Sequence, residues 1–152
     1  MTAPDSPDTT VREFRWPADY EAAVTLWQRA GVYNPGSDGP EQIADVCRRN
    51  PGLVLVAVAA EGALVGSVIG TFDGRRAYLY HVAVDPASRR SGLGRRLMAA
   101  VEARLWALGA PKIRFMVMAD NADATAFYRA LGYADDTHAF AMSKSRPAGA
   151  PA

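Results

Sequence analysis

Cysteine is nearly absent from this chain. The single thiol, Cys47, excludes an internal disulfide. Its setting, Ile43 to Cys47, reads as the buried stripe of a helix, not as the surroundings of a nucleophile. Histidine is also scarce. His81 and His138 share no metal-ligand spacing with each other or with Cys47, so no metal is expected. The only lysines, Lys112 and Lys144, stand outside any Gly-x-x-x-x-Gly-Lys-Ser/Thr loop, which excludes the usual nucleotide-triphosphate cradle. No apolar run approaches the roughly 18 residues of a membrane span. Neither end has the apolar core of a signal peptide. The expectation is a soluble, cytoplasmic chain with no membrane partner. Neither sign of charge dominates: 17 basic residues face 16 acidic ones. That balance argues against a nucleic-acid surface and for a local anion site.

The basic residues concentrate where such a site is built. Tyr78 to Val84 reads as a strand. Asp85-Pro86-Ala87-Ser88 follows, then Arg89-Arg90-Ser91-Gly92-Leu93-Gly94-Arg95-Arg96, then an amphipathic helix ending at Gly109. The first amides of a helix have no partner inside it, and the helix dipole adds positive charge at that end. Gly92 and Gly94 let a bulky anion approach the backbone, and Arg89, Arg90, Arg95 and Arg96 add charge. Together these features form a pyrophosphate cradle. A dinucleotide fingerprint does not fit: Leu97 stands where its third glycine belongs, and no acidic ribose-binding residue follows.

Periodicity places the other elements. A short strand is expected over Val11–Arg15. Helices are expected over Ala18–Ala30 and from Pro40 to about Arg49, joined by the loop Tyr33–Gly39. Leu53–Ala60, Ala63–Phe72 and Arg76–Val84 form a meander with turns at Glu61-Gly62 and Asp73-Gly74. Lys112–Met118 is the next strand. Its connection through the helix after Gly92 makes a parallel pair with Arg76–Val84. A helix beginning at the good cap Asn121 stops at Gly132. Tyr133–Ala134 and His138–Ser143 suggest a last hairpin. Residues 1–10 and 145–152 are expected to be disordered, leaving one domain over 11–144. The fold class is α/β, a mixed sheet with helices on both faces.

Two motifs in this order carry a family resemblance. Arg89-x-x-Gly92-x-Gly94 resembles the coenzyme A signature of the GNAT (Gcn5-related) N-acetyltransferases. Asn121, Ala124, Phe127, Tyr128, Gly132 and Tyr133 match that family's Asn-x-x-Ala-x-x-Phe-Tyr-x-x-x-Gly-Phe/Tyr segment. The phrases Leu26–Val32 and Pro111–Ile113 look closest to the YpeA-like bacterial acetyltransferases. The resemblance implies a GNAT-like fold in which two parallel central strands splay apart around acetyl-CoA as cosubstrate, with no metal. It implies that the backbone of Val82, Ala83 and Val84 pairs with the pantetheine arm. Arg89, Arg90, Ser91, Gly92, Leu93, Gly94 and Arg95 would hold the pyrophosphate. Asn121 would hold the pantetheine or an ordered water. Tyr128 would be the general acid that protonates the departing thiolate, and the Val82 amide would steady the oxyanion.

The family's usual base is missing. Tyr78 and Met116 occupy the positions where relatives place a glutamate, and neither is a base near neutral pH. By strand alternation His81 faces away from Tyr78 and Tyr80, which makes it a packing residue. The acceptor amine, a small molecule or a peptide or protein amino group, would meet Tyr33, Tyr78 and Tyr80. These rings either hold a cation over their faces or simply fill the wall. Asp135 and Asp136 read as a solvated turn. The family often dimerises through late strands, where Phe140 and Met142 stand, so a homodimer is an implied partner. A non-catalytic coenzyme A-binding module is the competing reading. The presence of both Asn121 and Tyr128 argues against it.

Overall fold

The runs of valine, leucine and isoleucine between Leu53 and Val84 become three antiparallel strands at the centre of a five-stranded sheet. In the computed structural model, which describes residues 8–151, the elements are β1 (Thr10–Glu13), α1 (Tyr20–Ala30), α2 (Pro40–Arg49), β2 (Val54–Val58), β3 (Leu64–Phe72), β4 (Ala77–Val84), α3 (Leu93–Ala107), β5 (Ile113–Arg114) and α4 (Ala122–Ala130). Residues 1–7 of the segment expected to be disordered lie outside the described residues, and β1 begins at Thr10. The chain divides into two compact units at Met116/Val117.

In the first unit the sheet order is β1-β2-β3-β4-β5. The first three pairings are antiparallel, and β4–β5 is the parallel pair that a crossover through α3 requires. Helices cover both faces. On one side, Ala23, Leu26 and Trp27 of α1 and Ile43 of α2 pack with Val54, Val56, Ile69 and Ala83. On the other, Leu97 and Val101 of α3 are wholly buried. The sheet makes room for α3 with glycine. A Cβ on Gly66 would stand 2.8 Å from a Leu97 methyl, and one on Gly70 would stand 2.7 Å from a Val101 methyl.

One expected strand and one expected hairpin come out differently. Lys112–Met118 shrinks to the two residues Ile113–Arg114, which pair with Ala77 and Tyr78. Beyond Tyr78 no strand among the described residues pairs with that edge of β4. The last hairpin does not form either: no strand follows α4 through residue 151. The alternating Ala139-Phe140-Ala141-Met142 has the right pattern, but Phe140 and Met142 lie exposed. A lone hairpin is marginal without a sheet to complete its ladder.

The second unit contains α4. Asn121 caps it as expected, its Oδ1 accepting from the Ala124 amide at 3.1 Å. Phe127 packs edge-on to Tyr128, and Tyr128 packs edge-on to Tyr133.

Candidate active site

The site in the first unit begins at a bulge. Ser67 of β3 lies opposite Ala83, yet Ile69 lies opposite Tyr80. One residue of β3, Val68, therefore faces two of β4, His81 and Val82. His81 takes up the excess at φ +49°. A non-glycine residue in the left-handed region costs on the order of 1–3 kcal/mol and needs support from its surroundings.

That support is polar and buried. The Trp27 indole donates to Ser67 Oγ at 2.9 Å, and Ser67 Oγ–H donates to the His81 carbonyl at 2.8 Å. The His81 ring stands edge-on to Trp27 at 4.8 Å, and its Nε2 meets Asp38 Oδ2 at 2.7 Å. Asp38 also accepts from the Asn34 amide, and its carbonyl accepts from the Tyr20 hydroxyl.

The bulge corrects the reading of His81. Tyr80 pairs with Ile69, whose side chain belongs to the α1-side core, and the His81 ring lies against α1 as well. Two consecutive residues thus share a face, because an inserted residue breaks the alternation. His81 is a packed residue, but on the same side as the tyrosines. Tyr78 and Tyr80 keep their shared face, with ring centroids 4.8 Å apart. Tyr33 packs against the α1-side core. Burial, and secondarily Tyr80, raise the Tyr78 phenol above its usual range. Tyr78 is therefore an even poorer base than tyrosine in water.

Beyond the bulge, Ala83 and Val84 pair with β3 on one edge, and among the described residues no strand pairs with the other edge from His81 to Val84. The chain then turns at Asp85. This buried carboxylate caps the short turn Pro86–Ser88 by accepting from the Ala87 amide, and it pairs with Arg29 of α1. Ser91 Oγ donates to the Ser88 carbonyl at 2.6 Å. Arg90 is left-handed at φ +63°, and Gly92 at φ +77°, where glycine carries no Cβ penalty. α3 starts at Leu93 with no side chain capping it and no acidic residue in its first turn. Its leading amides and dipole thus stand beside Arg89, Arg90 and Arg95, an arrangement that suits a phosphate. Arg96 is turned elsewhere: its guanidinium donates to the Thr9 carbonyl at 2.7 Å.

In the second unit, burial pushes the Tyr128 phenol up to about 12, so it is protonated at neutral pH. Asp135 is exposed and accepts two bonds from Arg129. Burial raises the Cys47 thiol to about 11, which leaves it inert at neutral pH. Among the described residues no group of His, Cys, Asp and Glu could hold a metal. No described helix is long and apolar enough to cross a membrane.

The family model described as "Acetyltransferase (GNAT) family" matches residues 11–133. The chain belongs to this family. It is 38% identical over 115 residues to an acetyltransferase of Pectobacterium atrosepticum, covering 76% of this chain and 81% of that one. Its fold superposes on Ard1 from Thermoplasma volcanium with a TM-score of 0.74 at 29% identity, covering 84% and 83% of the two chains. It also superposes on the ribosomal-protein-S18-alanine N-acetyltransferase of Escherichia coli, with a TM-score of 0.66 at 26% identity over 82% and 76%. This GNAT protein is accordingly an acyltransferase, and membership supports acetyl transfer. Sequence reasoning missed Ser67, Asp38 and Asp85. Each has a side-chain partner far along the chain, Trp27 for Ser67, His81 for Asp38 and Arg29 for Asp85, and no local pattern marks those pairings.

Proposed function

We propose that this chain is an N-acetyltransferase that moves the acetyl group of acetyl-CoA directly to an amine. The observation that carries the reading is a continuous run of backbone. The one-sided edge of β4 at Val82–Val84 leads through Arg89–Ser91 into the uncapped start of α3. The edge offers a pantetheine arm the amide partners that a strand would use, and the loop offers its pyrophosphate amides and guanidinium groups. Bound acetyl-CoA supplies the activated acyl group as a thioester.

The chain's own residues do the rest. The Val82 amide donates toward the thioester oxygen, where negative charge develops. Tyr128, protonated at neutral pH, gives its proton to the departing sulfur. Asn121 holds the pantetheine through its amide nitrogen, an atom separate from the Oδ1 that caps α4. Tyr33, Tyr78 and Tyr80 form the acceptor side. No glutamate stands at position 78 or 116, so the acceptor enters as a free amine or loses its proton to water. The E. coli relative acts on a ribosomal-protein alanine, as its name states. The absence of that glutamate favours an acceptor of another kind here.

Calorimetric titration with acetyl-CoA and coenzyme A tests the reading, on wild type and Gly92→Trp. Micromolar binding lost in the variant supports it. An amine panel read by thiol release then finds the acceptor, with Tyr128→Phe as the control. No binding of either ligand to the wild type overturns it.

A further inference from the structure

The peptide that joins His81 to Val82 carries both the carbonyl that Ser67 grips and the amide proposed to meet the thioester. A trans peptide is planar, and its C=O and N–H point in opposite directions. The Ser67 hydroxyl, on β3, holds the His81 carbonyl at 2.8 Å. The Val82 N–H therefore points away from Ser67 and β3, toward the side of β4 that no described strand occupies. Ser67 is only 1% exposed, and Trp27 behind it is equally buried and donates to the same hydroxyl oxygen. That donation leaves the Ser67 proton directed at His81. At the far end of the residue, Asp38 holds the His81 ring. The bulge is thus gripped at carbonyl and side chain by three separate elements.

We propose that Ser67 is a positioning residue for the acyl transfer: by fixing the His81–Val82 peptide plane, it aims the Val82 amide at the oxygen that becomes charged. Trp27 and Asp38 serve the same end, one by orienting the hydroxyl and the other by holding the ring. The inference rests on the acetyltransferase reading for its chemistry, but the peptide orientation can be tested without it.

The experiment compares wild type, Ser67→Ala and Ser67→Thr in three measurements. The first is the amide resonance of Val82 in the ligand-free protein, which must move in Ser67→Ala and stay near wild type in Ser67→Thr. The second is kinetics. Ser67→Ala should lower kcat at least about tenfold, short of the ~10²–10³-fold seen when an oxyanion donor is lost outright. Coenzyme A affinity and the acceptor KM should stay within about threefold, and Ser67→Thr should restore kcat. The third is the infrared band of bound acetyl-CoA labelled with ¹³C at the thioester carbonyl. Wild type should lower its frequency relative to water, and Ser67→Ala should abolish that shift. Ser67→Cys, which keeps the shape with a weaker donor, is read the same way if the alanine variant does not fold. An unmoved Val82 resonance overturns the proposal, as does an unchanged kcat and carbonyl band in a folded variant. A parallel loss of coenzyme A binding and kcat also overturns it, in favour of a purely structural role. A wild type that binds no acetyl-CoA overturns the acetyltransferase reading instead, and the Val82 resonance then judges Ser67 alone.

Discussion

Asp38 Oδ2 lies 2.7 Å from His81 Nε2, which ties the loop between α1 and α2 to the bulge of β4. The pair joins residues 43 positions apart. The same carboxylate holds the Asn34 amide, so one side chain orders the loop and braces the bulge together.

Asp38→Ala should therefore destabilise the protein by about 1–3 kcal/mol, the usual cost of leaving buried polar groups unpaired. Asp38→Asn keeps the shape and an acceptor oxygen and should cost less. Urea denaturation of the three proteins checks the order.

Gly70→Ala should cost about 1–3 kcal/mol through overpacking. The added methyl meets the stiff β-branched Val101 and lies 3.0 Å from the Leu53 carbonyl, neither of which can easily move. Gly66→Ala meets the movable end of Leu97 and the Ala57 methyl, so its cost should be smaller. Thermal unfolding of both variants tests the comparison.

Tyr128 should make stability fall at high pH. Its phenol titrates near 12 when folded against the ordinary value of 10.0. The folded state therefore holds the proton more tightly. This contribution is fully present below about pH 10 and is lost as pH rises toward 12. Its size is roughly 1–3 kcal/mol. Tyr128→Phe should lack that part of the decline. Denaturation curves for both proteins at pH 8 and pH 11 give the difference.

Cys47 should react slowly with a thiol reagent. Burial raises it to about 11, so little thiolate is present at pH 8. The folded protein should react at least about tenfold more slowly than the chain unfolded in urea. Cys47→Ser should keep acetyltransferase activity. A stopped-flow colour assay of the thiol measures the first, and thiol release from acetyl-CoA measures the second.

Local patterns in the chain sufficed for much of this. The glycines and arginines from Arg89 to Arg95 mark a loop feeding a helix whatever surrounds them, because unpartnered amides belong to every helix start. Asn121 and Gly132 bracket α4 for equally local reasons: one caps through its own side chain, and the other takes φ +96°. Alternation misled at two places where partners decide. The stretch from Ala139 to Met142 has the pattern of a strand and no ladder to join. In β4, the period of two fails at His81, where an extra residue faces Val68.

The sequence alone determined the order of elements through α4, the parallel crossover at α3 and the glycine- and arginine-rich loop that leads into that helix. Each follows from residue type and spacing within a few positions. Only the tertiary structure decided where β4 bulges, which way His81 faces and why the β4–β5 ladder stops after Tyr78. The first two outcomes rest on Trp27, Asp38 and Ser67, which come from separate elements and meet at His81. They meet only because burying the two faces of the sheet forces their polar groups to satisfy one another.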